Sequence, residues 1–129
     1  MWVNYLALMN QAILNNRMLF KIAYNTKNLM LTRFLYTQHL VSHYKCIYIN
    51  NKLHLYVILV YSEGECIIKH LSIMTTVSKK VSWSLKQLQK ILLLQSYNTL
   101  YLLSTNKGLM THIQAINSSC SGIMLCKIN

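Results

Sequence analysis

Apolar residues in this chain occur in short runs, and this pattern limits the fold to small elements. The longest run, Leu55–Tyr61, has the length of a β-strand, and no run approaches the ~18 residues of a membrane-spanning helix. More than half of the 129 residues (53%) are hydrophobic, which is enough for a packed core. We therefore expect a folded chain, because disordered chains are poor in Leu, Ile and Tyr. The length of the chain predicts one or two small domains.

The charge of the chain is strongly unbalanced. Thirteen Lys and Arg residues face two acids, Glu63 and Glu65, which gives a formal net charge of +11 at pH 7. Nucleic acid and an anionic membrane surface are the main partners for such a chain, unless the charge only keeps it soluble. Membrane binding usually places the basic residues on one amphipathic helix, whereas here they extend from Arg17 to Lys127. This spread favours a folded domain that contacts phosphates at many points, with no membrane partner.

The sequence contains no recognisable metal-binding or catalytic motif. Its four cysteines form no CxxC pair, the closest two being Cys120 and Cys126, so we expect free thiols in a reducing compartment, with disulfides or a zinc site as the alternatives. His39 and His43 have helical i, i+4 spacing, but such a lone pair is more often a surface feature than a metal site. HExxH, P-loop and GxGxxG motifs are missing. We expect no cofactor, no metal and no small-molecule substrate.

The amino-acid usage indicates an AT-rich genome. Asn, Lys, Ile, Leu and Tyr are abundant and proline is missing, a bias that AT-rich codons produce and that many organelle genomes share. The first basic residue is Arg17, so the N-terminus has no Arg-rich presequence. We expect a mitochondrial protein encoded in the organelle; another organelle or a bacterial cytoplasm is the alternative.

Hydrophobic periodicity predicts an α+β fold made of two small packed α/β modules. The polar, basic stretch Thr75–Lys80 is the best boundary, which gives modules 1–74 and 75–129. The N-terminal module is predicted as αβαβββ: helices Asn4–Asn16 and Lys27–Val41, with Thr26 as the second N-cap, and strands Arg17–Tyr24, Tyr44–Ile49, Leu53–Tyr61 and Cys66–Met74. Asn50-Asn51-Lys52 marks a hairpin, because Asn accepts positive φ.

The C-terminal module is predicted as βαβαβ. Its helices are Lys86–Leu94, with Leu88, Ile91 and Leu92 facing inward, and Leu109–Asn117, and its strands are Val81–Leu85, Thr99–Ser104 and Gly122–Ile128. Trp83 is predicted to pack in the core or between the modules; an aromatic platform for RNA is the alternative.

One segment carries most of the functional information, and it is predicted to follow a strand and to open a helix. The residues are Ser104, Thr105, Asn106, Lys107, Gly108, Leu109, Met110 and Thr111. Hydroxyl groups can bond phosphate or 2′-hydroxyl oxygens, the lysine adds charge, and the glycine lets the backbone approach closely. Free N–H groups at the start of the following helix would also favour an anion. By itself the pattern also fits a purely structural turn.

This segment resembles the bacterial-type family of small-subunit ribosomal protein eight, the universal S-eight family. That family carries Ser-Thr-x-Lys-Gly-x-Met-Thr near its C-terminus, which residues 104–111 match without a gap, and Gly122 and Cys126 fall at matching spacing. Val77-Ser78-Lys79 is similar to its Val-Ser-Arg, although Lys80-Val81 stands where the family usually has Pro-Gly. Leu85 and Ser121 replace a frequent tyrosine and a second glycine.

The resemblance implies a non-enzymatic protein that binds the central domain of small-subunit rRNA early in assembly, beside neighbouring small-subunit proteins. It implies two α+β modules with most RNA contacts in the C-terminal one. From the resemblance and from the chemistry of the side chains, the residues predicted to bind RNA are Ser104, Thr105, Asn106, Lys107, Gly108 and Thr111, together with Ser78, Lys79, Lys80, Thr26, Lys27 and Asn10.

Two other classes of function stay open from the residues alone. A standalone nucleic-acid-binding regulator of similar fold would share the charge and the polar turn. An enzyme would use Cys66 and His70 as nucleophile and base, but on one strand this pair would lie some 13 Å apart.

Overall fold

The computed structural model describes residues 2–75, 79–94 and 99–129. The chain divides into two compact units, Met1–Lys69 and His70–Asn129. Each unit combines helices with antiparallel strands, so the predicted α+β class is confirmed. The division lies before the predicted boundary at residue 75, because Leu71–Ile73 forms a strand that pairs within the second unit. No helix of the described ranges is long and apolar enough to cross a membrane.

The first unit is built from two helices and a three-stranded sheet. Its main elements are α1 (Val3–Leu14), β1 (Leu19–Ala23), α2 (Thr26–Thr37), β2 (Val41–Ile49) and β3 (Lys52–Leu59). The strands are antiparallel in the order β1-β3-β2. All five elements were predicted, but the N-cap of α2 is Asn25 and not Thr26, since the Asn25 side chain accepts a hydrogen bond from Asn28 N at 2.7 Å. Helix α2 also ends at Thr37, four residues before the predicted end.

The core of the first unit lies between the helices and one face of the sheet. The Tyr5 ring of α1 packs edge-on against Phe20 of β1, with ring centroids 5.3 Å apart. The Tyr5 hydroxyl is 2.7 Å from Thr32 Oγ1 of α2, which joins the two helices inside the core. On the sheet, Leu55 and Val57 of β3 are fully buried.

One predicted strand is wrong. The segment 66–74 does not form a single strand: β4 (Tyr61–Ser62) and β5 (Glu65–Cys66) make a small ribbon, and β6 (Leu71–Ile73) joins the second unit. The ribbon turns at Glu63 and Gly64, which have φ of 54° and 82°. Cys66 ends β5 and His70 lies between β5 and β6, so the two residues do not share the strand on which they were predicted.

The second unit is a five-stranded sheet with two helices. Its remaining elements are β7 (Ser82–Trp83), α3 (Leu85–Leu94), β8 (Leu100–Thr105), β9 (Gly108–Thr111), α4 (His112–Asn117) and β10 (Gly122–Ile128). The sheet order is β6-β10-β8-β9, and β7 also pairs with β10. Strand β10 is therefore the centre of the unit, where it pairs with β6, β7 and β8.

The core of the second unit gathers around buried residues of β8, β10 and the helices: Leu88, Tyr101, Leu103, Ala115 and Met124. Trp83 is half-buried and packs against this cluster, with its ring centroid 5.9 Å from that of Tyr101. Leu92, predicted to face inward, is instead 45% exposed.

Candidate RNA-binding site

The segment 104–108 forms the tip of a β-hairpin and does not open a helix as predicted. Strands β8 and β9 pair Ser104 with Leu109 and Thr105 with Gly108, so that Asn106 and Lys107 form the loop between them. The helix α4 begins only at His112. Helical periodicity was misleading here, because β9 is a four-residue strand that runs directly into a helix.

The hydroxyl group of Thr105 holds the loop in shape. Its Oγ1 donates to the Gly108 carbonyl at 2.9 Å and accepts from the Lys107 N–H at 3.2 Å. A hydroxyl oxygen has two lone pairs, so one acceptor position stays available for a ligand after both bonds are made. Thr105 therefore has a local structural role beside the RNA contact predicted for it.

Gly108 is required by the backbone conformation at the tip. Its φ is +111°, which residues with a side chain rarely adopt, while an added Cβ would meet nothing within 4 Å. The constraint on this glycine thus comes from the turn itself and not from crowding inside the protein.

Gly122 lies directly beside the hairpin and brings the central strand close to it. It stands opposite Thr105 on β8 and opposite Trp83 on β7. A Cβ at this position would overlap the Ser104 carbonyl oxygen, and it would lie 3.0 Å from the carbonyl carbon and from Thr105 Cγ2. The sequence singled out Gly122 only through the family pattern; this close approach of two backbones gives it a physical reason.

Two side chains project freely from the hairpin tip. Asn106 and Lys107 are exposed, and the described residues provide no ion pair or side-chain hydrogen bond to the Lys107 ammonium. Next to the tip, Ser104 is half-buried, and its hydroxyl bonds to no other described side chain. The tip thus presents a cation, an amide and a hydroxyl on a backbone that is already ordered.

Thr111 closes the hairpin against α4. It is 4% exposed, and its hydroxyl accepts a hydrogen bond from Gln114 N at 3.2 Å, while Gln114 Oε1 accepts one from Thr111 N at 3.2 Å. This capping box leaves the Thr111 side chain facing the protein. It also occupies two backbone N–H groups at the helix start, those of Thr111 and Gln114.

The second predicted RNA-binding segment lies around residue 79. Lys79 and Lys80 are exposed, and Ser78 lies outside the described residues. The Thr75 hydroxyl donates to the Met124 carbonyl and accepts from Val81 N at 3.2 Å, so it fastens both ends of this loop to β10. Sequence reasoning missed Thr75, because a single threonine at the end of a strand carries no distinctive signal.

The sheet brings this basic loop and the hairpin to the same strand. Ser82 and Ser104 flank Ile123 of β10 on opposite sides, as Trp83 and Thr105 flank Gly122. Strand neighbours are about 4.8 Å apart, so the two predicted segments reach β10 within roughly 10 Å of each other.

The other predicted residues belong to the first unit. Thr26 and Lys27 are exposed in the first turn of α2, and Asn10 is half-buried on α1. Trp2 Nε1 donates to the Lys27 carbonyl at 2.7 Å, which places the start of α1 beside the start of α2. Asn10 lies eight residues further along α1, about 12 Å away by helical rise, so it is not part of one cluster with Thr26 and Lys27.

Burial shifts the pKa of titratable side chains in the second unit. All four cysteines are free, and burial raises the pKa of Cys126 to about 12, so that this thiol packs as an apolar group. Within the described ranges, no group of three or more His, Cys, Asp or Glu side chains is arranged to hold a metal ion. His112 is buried, and desolvation lowers its pKa; its Nδ1 accepts from Tyr101 N at 3.3 Å.

A comparison with protein families identifies the chain. The family model described as Ribosomal protein S8 matches residues 3–129. The chain belongs to the Ribosomal protein S8 family. A comparison with curated proteins found no match. Ribosomal protein S8 is a structural protein of the small ribosomal subunit that binds rRNA and neighbouring ribosomal proteins, and its family is not an enzyme family.

Membership in the S8 family accounts for the charge of the chain and agrees with the geometry of the hairpin tip. A polyanionic RNA partner accounts for a net charge of +11 that two acids do not balance. It also fits a hairpin whose tip carries unpartnered polar groups on a rigid frame.

Proposed function

We propose that this chain binds the central domain of small-subunit rRNA through the tip of hairpin β8–β9, and that it does so in mitochondrial ribosomes. The observation that carries the proposal is the exposed Lys107 on a loop that Thr105 and Gly108 hold in place. An ordered loop has less conformational entropy to lose on binding than a flexible one. The lysine supplies phosphate affinity, while Ser104 supplies a hydroxyl for sugar or phosphate oxygens.

The contact surface that we propose includes the neighbouring loop. Lys79 and Lys80 are exposed, and the chain after them pairs with β10 across from the hairpin. Ser78 is included through its family position. We leave Thr111 in its capping role, and we assign Thr26, Lys27 and Asn10 to contacts made separately by the first unit.

The assignment to mitochondria follows from the amino-acid usage. A chain rich in Asn, Lys, Ile and Tyr and without proline is typical of an AT-rich organelle genome. Assignment to the central domain follows from the match of residues 104–111 to the family pattern. Sedimentation of mitochondrial extract tests both the compartment and the particle: this protein should travel with the small subunit, whereas a standalone regulator would not.

The contact itself is tested by the salt dependence of binding to a fragment of central-domain rRNA. Lys107→Ala should weaken binding and lower the slope of log affinity against log salt by about 0.7–0.9, the value of one phosphate contact. Asn106→Ala at the same tip is the matched control and should leave the slope unchanged. An unchanged affinity and slope for Lys107→Ala would overturn the site, and cross-links centred on large-subunit rRNA would overturn the assignment to the small subunit.

A further inference from the structure

The first unit has a sheet face that its helices do not cover. Phe20 packs against Tyr5 of α1, and Tyr44 packs against Tyr36 of α2 with ring centroids 5.8 Å apart, so both helices lie on one side of the sheet. Successive side chains of a strand alternate between faces. The residues next to Phe20 and Tyr44 therefore point away from the helices. We call this surface the open sheet face; it consists of Leu19, Lys21, Ala23, His43, Lys45, Ile47, His54, Tyr56 and Ile58.

The centre of the open sheet face is a tyrosine between two lysines. Tyr56 of β3 pairs with Lys21 of β1 on one side and with Lys45 of β2 on the other. Directly opposed residues have Cβ atoms about 5 Å apart, so the three side chains form one row across the sheet. Both lysines are exposed, and neither has an ion pair or side-chain hydrogen bond within the described part of the chain.

The rows on either side have the same mixed character. His43 and Leu19 flank Ile58, and Ile47 and Ala23 flank His54. Leu19 is 48% exposed and Ile47 is 41% exposed, which is a large apolar area for a sheet surface in contact with water. A face that was only solvated would carry polar side chains at these positions.

Charge decides which partner suits this surface. The two acids of the chain, Glu63 and Glu65, lie outside strands β1 to β3, so the open sheet face carries cations without a balancing carboxylate. An aromatic ring between cations is the arrangement with which proteins bind unpaired nucleotides: a base stacks on the ring and the phosphates meet the ammonium groups. The lysine pair spans about 10 Å, two strand spacings, on either side of the ring.

We infer that the open sheet face is a second RNA-binding surface, which stacks an unpaired base of rRNA on Tyr56 and binds its backbone through Lys21 and Lys45. This surface is separate from hairpin β8–β9, and it differs in chemistry. The hairpin uses hydroxyl and ammonium groups, which suit a sugar–phosphate backbone, whereas the open sheet face offers an aromatic ring to an exposed base.

The test uses the full-length chain with Lys107→Ala, so that the hairpin contributes less to binding, and a labelled oligouridylate of about ten nucleotides as the unpaired RNA. Tyr56→Ala should weaken binding about five- to a hundredfold, since a stacked base contributes that range of affinity. Tyr56→Phe keeps the ring and should stay within about twofold. The double substitution Lys21→Gln and Lys45→Gln should lower the salt slope by about 1.4, because each phosphate on single strands contributes about 0.7.

Tyr48→Ala is the matched control. Tyr48 lies on β2 and is 74% exposed, but it alternates onto the same face as Tyr44, so its loss should leave the affinity unchanged. The inference is overturned if oligouridylate does not bind. It is also overturned if neither Tyr56→Ala nor the double lysine variant changes the affinity for oligouridylate, which is the result expected if the open sheet face binds a neighbouring protein instead of RNA. The exposed lysine pair keeps the test valid even if Tyr56→Ala is poorly folded. Loss of oligouridylate binding through Tyr56, with unchanged binding of the central-domain fragment, would separate this surface from the hairpin.

Discussion

Hairpins β2–β3 and β8–β9 both turn within two loop residues, but by different means. In the β2–β3 hairpin, the loop residues Asn50 and Asn51 themselves adopt positive φ, of 51° and 62°. In the β8–β9 hairpin, positive φ is moved to Gly108, at +111°, and the Thr105 hydroxyl ties the loop together from the side.

This difference fits a connecting turn in the first hairpin and the proposed binding turn in the second. Where the loop residues carry the unusual backbone conformation, their identity is limited to types such as Asn that tolerate it. Where a glycine carries it and a threonine hydroxyl holds the loop, the backbone does not limit the identity of the two loop residues. Asn106 and Lys107 are in this second situation, which suits the binding role proposed for the β8–β9 hairpin.

The largest effect is expected from Gly122→Ala, because Gly122 allows β10 to pair closely with β8, the first strand of the β8–β9 hairpin. The new Cβ would overlap the Ser104 carbonyl, so β8 and β10 must move apart. We expect a loss of about 3 kcal/mol in the free energy of unfolding, together with a large loss of rRNA affinity. Chemical denaturation and fragment binding measure both.

Gly64→Ala is the control for Gly122→Ala. It introduces a methyl group at φ +82° with nothing within 4 Å, so it adds backbone strain without overlap. We expect a smaller loss of stability and unchanged rRNA affinity. Equal effects of the two alanines on affinity would show that Gly122 has no special relation to the site.

The next effect in size compares one residue of each hairpin. Gly108→Val and Asn51→Val both force a β-branched side chain into positive φ, which costs about 1–3 kcal/mol of stability. Only Gly108→Val should also weaken binding to the central-domain fragment, by tenfold or more, because it displaces Lys107. Circular dichroism should show secondary structure largely retained in both. Equal loss of affinity in both variants would mean that binding follows global stability and not the hairpin.

Local signals were sufficient to predict the two helices and the three-stranded sheet of the first unit. Helices α1 and α2 and the Asn50-Asn51 hairpin follow from periodicity and from the known behaviour of Asn in turns. The prediction failed at Leu71–Ile73, because short strands take their identity from the partner that they pair with, here β10. It failed again at 109–111, where a four-residue strand next to a helix has too few residues for either period to be read.

The residues of the proposed site were named from the sequence, but their spatial arrangement was not. Lys107 and Gly108 stand out in the sequence, yet their arrangement as a hairpin tip depends on pairing with β8. The roles of Thr75 and Thr111 depend on contacts with residues brought close by the fold or on the true helix start. The open sheet face was not predicted, since Lys21 and Lys45 lie 35 and 11 positions before Tyr56 in the sequence, and only the strand register aligns the three residues.

A smaller effect is expected from Thr105→Val, which keeps the shape of the side chain and removes its hydroxyl. The two hydrogen bonds to Gly108 and Lys107 are lost, and the freed groups are close to water, so stability should fall by about 1 kcal/mol. The affinity for rRNA should fall more than this loss of stability explains, because the loop is no longer held in its binding shape. Hydrogen exchange at the Lys107 amide, measured beside affinity, checks the cause: unchanged protection would contradict it.

The smallest effect concerns pH and distinguishes the two hairpins by their histidines. In the β2–β3 hairpin His43 is exposed, whereas His112, directly after β9, is buried and its Nδ1 accepts from Tyr101 N. Desolvation lowers the pKa of His112 below its ordinary value of 6.5, so the unfolded chain binds a proton before the folded chain does. Stability contributed by neutral His112 is therefore complete above pH 6.5 and falls as the pH drops through that value. Thermal melting of the wild type between pH 8 and pH 5 should show this decline, and His112→Asn, which offers a neutral acceptor, should flatten it. A decline that His112→Asn leaves unchanged would show that another group causes the pH dependence.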